Sequence, residues 1–275
     1  MKTFTAALIQ MRGAPDHEAS LRAFEKSVRE AASRGARLVC GPELFYFDGD
    51  MQRVSHFAVT IPGPVTERLS SLARKYAVYL CPGTLPERRA EGTPYNTLLL
   101  FAPDGALIGK YRKRHLFQVD IPGELRHDER DYFSAGNDPA PVFNTERGRL
   151  GASICYDLRF PEQFLRLSLQ GAEIILAPSA FTKPTGQAHW HVLCRARAVE
   201  TGCFILAPDR TGICGADIER YGHSLIVDPW GAILAEAGKV EGVISAELRA
   251  ESLADARGRL RSIEHRAKGD SVPDP

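Results

Sequence analysis

The sequence predicts an α/β fold in which a mixed sheet is covered by helices. Three observations carry this. Apolar runs of strand length alternate with amphipathic helical patterns along nearly the whole chain. Several consecutive strand-like runs have no helix between them, so the sheet is mixed rather than wholly parallel. The chain has 275 residues, 44% hydrophobic and 25% charged. A chain of that size buries roughly three-quarters of its unfolded surface and needs no disulfide or metal to hold a core. No linker rich in Pro, Gly or Ser interrupts it, so residues 1–275 are expected to form one domain. The charged stretch after about residue 249 reads as a C-terminal arm, ending in Asp270-Ser271-Val272-Pro273-Asp274-Pro275.

Residues 3–10 read as the first strand. Over 18–33, Leu21, Phe24, Val28 and Ala31/Ala32 fall on one helical stripe, and Gly35 ends it. Residues 37–40 form a short buried strand running into Gly41-Pro42-Glu43. Val65, Leu69, Leu72 and Tyr76 mark the inner face of a helix over 64–76. Strands follow at 78–85 and 96–102, and the Pro103-Asp104-Gly105 turn leads to another at 106–113. The polar, irregular stretch 123–137 has the character of an active-site loop. Residues 149–155 are a strand, followed by a helix over 161–170 that Gly171 ends. A strand at 173–178, a helix at 188–201 and a strand at 203–207 continue the alternation. Late strands lie near 224–227, 232–235 and 242–247, the first two joined by Asp228-Pro229-Trp230-Gly231.

Composition excludes several functions. Lys+Arg minus Asp+Glu is 35 − 34 = +1, which gives no footprint for nucleic acid or an acidic membrane. No apolar stretch reaches the roughly 18 residues of a membrane span. The apolar run 4–9 is too short for a signal-peptide core, and the cytoplasm is the expected compartment. The six cysteines are Cys40, Cys81, Cys155, Cys194, Cys203 and Cys214; they lie in apolar runs typical of buried free thiols. No CxxC pair occurs, which argues against structural zinc or a redox dithiol.

Chemistry in open α/β sheets gathers beyond the carboxyl ends of strands. Cys155 closes the strand Leu150-Gly151-Ala152-Ser153-Ile154, and a polar turn and a helix start follow it. A thiol at such a corner faces either of two fates, nucleophile or buried structural cysteine. Helix amides and Arg159 are expected to lower its pKa. Glu43 follows Leu38-Val39-Cys40 and is flanked by Pro42 and Leu44-Phe45. A partly desolvated carboxylate there suits general acid–base work, or it caps a helix. Lys113 ends Leu107-Ile108-Gly109-Lys110-Tyr111-Arg112 in a basic cluster with Arg114 and His115. It is either a surface charge or a cation for an oxyanion.

Other motifs are weaker. GxxxxGK[ST] and GxGxxG loops are absent, so nucleotide binding has no support. His189 and His191, two apart on a helix, point to different faces and fail as a zinc pair. His223 reads as structural, and a Cys–His protease stays open.

Taken together, Gly41-Pro42-Glu43-Leu44, Tyr111-Arg112-Lys113-Arg114-His115-Leu116-Phe117 and Cys155-Tyr156-Asp157-Leu158-Arg159-Phe160-Pro161-Glu162 resemble, in order, the three catalytic signatures of the nitrilase superfamily. The likeness extends through Ala188-His189-Trp190, Arg195-Ala196-Arg197-Ala198-Val199-Glu200 and Tyr221-Gly222-His223-Ser224 to Asp228-Pro229-Trp230-Gly231. The resemblance implies a four-layer αββα sandwich, paired as a homodimer or a higher homo-oligomer. It also implies a Glu43–Lys113–Cys155 triad with Glu129 as a second glutamate, and no metal or organic cofactor.

The implied activity is hydrolysis of a C–N bond in a small carboxylate-bearing amide through a thioester, releasing ammonia and a carboxylic acid. The Lys113 ammonium and the Tyr156 N–H would meet the oxyanion. The Cys-Tyr-Asp context with Phe160-Pro161-Glu162 resembles the amidase branch, and within it deaminated glutathione amidases. ω-Amidases acting on 2-oxoglutaramate, N-carbamoyl hydrolases and a retired, non-catalytic scaffold are the alternatives. Arg159 is expected either to pair with a substrate carboxylate or to make an internal salt bridge. Phe181 and Thr182 would line the pocket by analogy. Ala207-Pro208-Asp209-Arg210 replaces a small neutral run usual in these amidases, leaving Arg210 without an assigned role. The stretch 259–266 lacks the usual proline.

Overall fold

The structure is a computed structural model, which describes residues 1–14, 16–123, 125–214 and 218–266. Two sheets carry it. In the first, strands Phe4–Gln10, Leu38–Cys40 and Tyr79–Cys81 run parallel, and Gly242–Leu248 pairs antiparallel with Phe4–Gln10. Strand Tyr95–Phe101 follows, flanked by Thr84–Glu87 and Leu107–Arg112. In the second, Gly148–Ala152, Ile174–Leu176 and Phe204–Ala207 run parallel. Val142–Thr145 closes one edge, and Leu225–Val227 and Ile233–Glu236 close the other, all antiparallel.

Side-chain alternation along the strands builds the layers. Ala6 and Leu8 point into one apolar cluster with Leu150, Ala152 and Ile174 of the second sheet. Ala7 and Ile9 point the opposite way, onto Leu21, Phe24 and Val28 of helix His17–Ser33 and Leu69 and Leu72 of helix Pro64–Tyr76. Helices Pro161–Leu169 and Lys183–Thr201 cover the second sheet with Phe164, Leu167, Trp190 and Cys194. The result is the expected αββα sandwich. The short central strands are buried on both faces, as parallel strands require.

Several elements differ from the sequence pattern. The expected strand 78–85 is two strands, Tyr79–Cys81 and Thr84–Glu87, on the same edge of Tyr95–Phe101. The break falls at Pro82-Gly83, where Gly83 has φ +95° and a Cβ would sit 1.9 Å from the Pro42 carbonyl oxygen. Only glycine allows that approach, which fixes the backbone next to Glu43. Helix Lys183–Thr201 starts five residues before the expected 188, because Pro184 lies in its first turn, where a missing N–H costs nothing. The polar stretch 123–137 contributes strand Leu125–Asp128, paired with Gln118–Ile121, and a short 3-10 helix Glu129–Asp131. A second hairpin, Thr211–Cys214 with Ile218–Tyr221, was not signalled by any apolar run.

Beyond residue 249 the chain forms helix Ala250–Arg259, with Leu253 and Ala256 buried. Arg257 ties it down, donating from Nε to Gly202 O (2.8 Å) and from Nη2 to Ala172 O (2.7 Å). The expected frayed end at 270–275 lies outside the described residues. Among the described residues, no helix is long and apolar enough to cross a membrane.

Candidate active site

Three strand ends deliver the polar groups. Glu43 follows Leu38–Cys40, and its N–H reaches Ser179 O (3.3 Å), from one sheet to the other. The next residue, Leu44, sits at φ +50° with its N–H held by Thr84 Oγ1 (2.9 Å). Lys113 follows Leu107–Arg112; its N–H donates to Asn96 O and its carbonyl accepts from Gly136 N–H, both at 2.8 Å. Cys155 lies just beyond Gly148–Ala152 at φ +45°, a strained conformation for a residue with a Cβ.

Asp157 holds that corner. Fully buried, it accepts at Oδ2 from Ile154 N–H (2.8 Å) and Tyr111 Oη (2.9 Å), and its Oδ1 lies 2.6 Å from His115 Nδ1. His115 is in turn stacked on Phe160, with ring centroids 3.7 Å apart.

The side chains of Glu43, Lys113 and Glu129 converge. Lys113 Nζ donates to Glu43 Oε1 (2.7 Å) and Glu129 Oε2 (2.8 Å). Asn96 Nδ2 donates to Glu43 Oε1 (2.8 Å) and Glu129 Oε1 (3.2 Å), and Phe117 N–H to Glu129 Oε2 (2.7 Å). Burial opposes the Lys113 ammonium, but the charges of Glu129 and Glu43 outweigh it and raise its pKa well above the lysine value. Burial pushes the Glu129 carboxyl up, against the pull of Lys113.

Cys155 departs from expectation. Its pKa is raised well above the ordinary thiol value, first by burial and then by the Glu43 charge, with Lys113 opposing. Neither helix amides nor Arg159 wins. Burial and the Glu43 charge both favour the neutral form of the thiol.

Cys155 sits where two arms of one cleft meet. Phe117, Cys155 and Ala180 line both arms. The smaller, about 210 Å³, is completed by Tyr156, Arg159, Phe181, Thr182 and Thr185. All four residues expected to bind substrate therefore share one wall. The larger, about 440 Å³, is lined by Glu43, Lys113 and Glu129, and also by Met51, Arg210 and Arg220.

Of the two expectations for Arg159, the salt bridge is not made: among the described residues no carboxylate pairs with it. Its Nη2 lies 3.2 Å from His189 Nδ1, and its guanidinium faces the rings of Phe181 (5.6 Å) and Tyr156 (5.7 Å). The described cysteines other than Cys155 are fully buried and free: Cys40, Cys81, Cys194 and Cys203. The Cys214 side chain lies outside the described set.

Sequence reasoning missed Asn96, Asp157 and Arg220. Asn96 had a usable signal, a lone amide inside an apolar strand pattern. Away from the cleft, His191 does not pair with His189. Its Nε2 instead lies 3.0 Å from Glu236 Oε1, which also meets His223 Nδ1 (2.9 Å). The three donor atoms lie within 4.8 Å of one another, the spacing of a metal-ligand set, and hydrogen bonding already accounts for them.

Known proteins resemble this chain in sequence and fold. The family model for carbon-nitrogen hydrolase matches residues 5–258. A deaminated glutathione amidase of Synechocystis sp. (strain PCC 6803) is 38% identical over 97% of this chain and 99% of its own length. Omega-amidase NIT2 of Xenopus tropicalis is 39% identical over 94% of each chain. The crystal structure of the C. elegans NitFhit protein superposes with a TM-score of 0.90 at 35% identity over 97% of this chain, which spans 65% of that protein. Saccharomyces cerevisiae Nit3, a member of branch 10 of the nitrilase superfamily, gives 0.86 at 33% identity over 94% of each chain.

Proposed function

The chain belongs to the carbon–nitrogen hydrolase family, within the nitrilase superfamily, and from that premise we propose that it cleaves a small carboxylate-bearing amide through a thioester on Cys155. It is a hydrolase of carbon–nitrogen bonds, with amidases among its relatives. The observation that carries the finer proposal is the buried Glu43–Lys113–Glu129 cluster in the wall of the cleft that Cys155 lines.

Glu43 takes the proton of the neutral Cys155 thiol as sulfur attacks the carbonyl carbon. The charge developing on oxygen meets the Lys113 ammonium and the Tyr156 N–H. Tyr156 lies in the first turn of a 3-10 helix, where N–H groups have no intrahelical acceptor. One such donor is worth about 3–4 kcal/mol of barrier. Glu43 passes its proton to the departing nitrogen, the C–N bond breaks and a thioester remains. Glu43 then draws a proton from water, hydroxide adds to the thioester, and the acid and the thiol are released. Glu129, hydrogen-bonded to Lys113, Asn96 and Phe117, positions the cation.

Arg159, Tyr156, Phe181 and Thr182 hold the acyl portion, with Arg159 facing its carboxylate. The leaving group separates the candidate substrates. 2-Oxoglutaramate, a primary amide, would release ammonia. Deaminated glutathione, whose amide nitrogen belongs to cysteinylglycine, would release that dipeptide, so of these two only the ω-amide gives ammonia. Both give 2-oxoglutarate, and an N-carbamoyl compound would give its amine with carbon dioxide as well as ammonia.

The test is a 2-oxoglutarate, ammonia and carbon dioxide assay on these three classes, with wild type and Cys155→Ala. Turnover confined to the carbamoyl compound would overturn the proposal. Homodimer pairing is supported by the exposed apolar side chains Leu169, Val192 and Val199 on the outer helices, and a reducing cytoplasmic setting by the five described free thiols.

A further inference from the structure

We infer that Arg210 and Arg220 form a second anion-binding subsite, so that the preferred substrate is an N-substituted amide carrying a carboxylate on each side of the bond that breaks. This rests on the proposed thioester chemistry and extends it to the leaving group.

The two arms of the cleft meet at Cys155, and each is lined by guanidinium groups: Arg159 in the smaller, Arg210 and Arg220 in the larger. Glu43, which hands a proton to the departing nitrogen, lines only the larger arm. The leaving group therefore lies on the side of Arg210 and Arg220. A primary amide would leave that arm empty, since ammonia does not reach it.

The two arginines are unfinished as a structural pair. Arg210 is 3% exposed, yet its Nε and Nη2 have no hydrogen-bond partner, and only Nη1 donates, to Phe47 O (3.0 Å). Its nearest carboxylate oxygen is Asp48 Oδ1, at 3.4 Å from Nη2. Asp209 makes no ion pair with it: Asp209 Oδ1 accepts from the backbone N–H groups of Phe181 and Arg210, both at 2.9 Å, and its Oδ2 is buried with no hydrogen-bond partner. Arg220 donates from Nη1 to Ala180 O (2.7 Å), its Nε is buried without a partner, and among the described residues no carboxylate pairs with it. Asp48 faces Arg210 and buried Asp209 interacts electrostatically with Arg220, but the N–H groups at Arg210 Nε and Nη2 and Arg220 Nε remain open to an incoming carboxylate. Unpaired buried guanidinium N–H groups cost stability in a finished fold, and a planar carboxylate satisfies them. Both arginines also line an adjoining cleft, together with Asp48 and Tyr132.

The experiment compares kcat/KM for deaminated glutathione with that for its carboxamide analogue, in which the glycine carboxylate is capped as a primary amide. 2-Oxoglutarate is the common readout. Wild type is expected to favour the free carboxylate about tenfold or more, mainly through KM, the scale of one hydrogen bond to a charged group. In Arg220→Gln that preference should fall toward one, whereas Arg29→Gln, on an exposed helix face, should keep it. Arg210→Lys, read with a melting curve to confirm folding, should also reduce it. Equal wild-type rates on the two compounds, or a preference that survives Arg220→Gln, would overturn the subsite while the thioester proposal stands. Cleavage of 2-oxoglutaramate alone would do the same. No Cys155-dependent turnover of any of these amides would overturn both.

Discussion

Lys113 Nζ donates to Glu43 Oε1 across 2.7 Å, with the two side chains only 2% and 4% exposed. The same ammonium serves Glu129, so one cation holds two buried carboxylates. Lys113→Met should lower kcat/KM by about 10²–10³-fold through the lost oxyanion donor. It should also destabilise the fold by about 3–5 kcal/mol, because the carboxylates are left without their counter-charge. The pH dependence follows from Glu129, whose pKa burial already raises. A carboxyl with its folded pKa above the unfolded value contributes stability at low pH and loses it as pH rises through the folded pKa. The variant's melting deficit should therefore be larger at pH 8 than at pH 5. An equal deficit at both would contradict this charge balance.

Cys155 is reached from the cleft, whereas Cys40, Cys81, Cys194 and Cys203 are 0% exposed. Iodoacetamide should alkylate Cys155 well ahead of those four, monitored by peptide mass mapping. Because burial and Glu43 raise the thiol pKa, the rate should climb with pH beyond the range of an ordinary cysteine. Uniform, slow labelling of all five would remove Cys155 from the site.

Asp157 shapes the corner that presents the sulfur, accepting from Ile154 and Tyr111 and meeting His115. In Asp157→Asn the negative charge at that corner is lost, and an amide NH₂ replaces the oxygen that meets His115. The expected loss is about 1.5–3 kcal/mol in urea unfolding, the value of a hydrogen bond to a charged group. kcat should drop with KM little changed, since Asp157 touches no substrate. A wild-type kcat would show that the corner holds without it.

Much of this was legible in the chain. The helical stripe of Leu21, Phe24 and Val28 and the apolar runs of the central strands predicted the layers, because burial imposes those periods. Glu43, Lys113 and Cys155 stood out at strand ends, and the structure brings the first two into contact beside the third. The thiol pKa was not legible. Arg159 lies four residues away in sequence, yet it turns toward His189 while Glu43, from the other sheet, acts on the sulfur. Arg220 was hidden for a related reason. It lies on a half-exposed polar hairpin with no apolar pattern, and only tertiary folding carries it to the cleft.

Glu87 gathers Lys110, Arg112 and Thr97 on strands flanking the site. Burial opposes its charge, but these hydrogen bonds win and lower its pKa from 4.5 to about 2. A depressed folded pKa gives stability that is present above the unfolded value and lost as pH falls through the folded one. Lys110 and Arg112 are about a third exposed (35% and 31%), so solvent screening leaves about 1–2 kcal/mol. Glu87→Gln should flatten the acid limb of the stability curve between about pH 4.5 and pH 2, measured by urea unfolding. An unchanged limb would assign the acid transition to other groups.

The most direct test of the central claim is to quench the wild-type enzyme with acid during turnover of 2-oxoglutaramate or deaminated glutathione and map its peptides by mass. A covalent 2-oxoglutaryl group on the peptide bearing Cys155, absent in Cys155→Ala and formed far more slowly in Glu43→Gln, is the predicted result. Rapid turnover with the acyl group on another residue, or at full rate in Cys155→Ala, would contradict it.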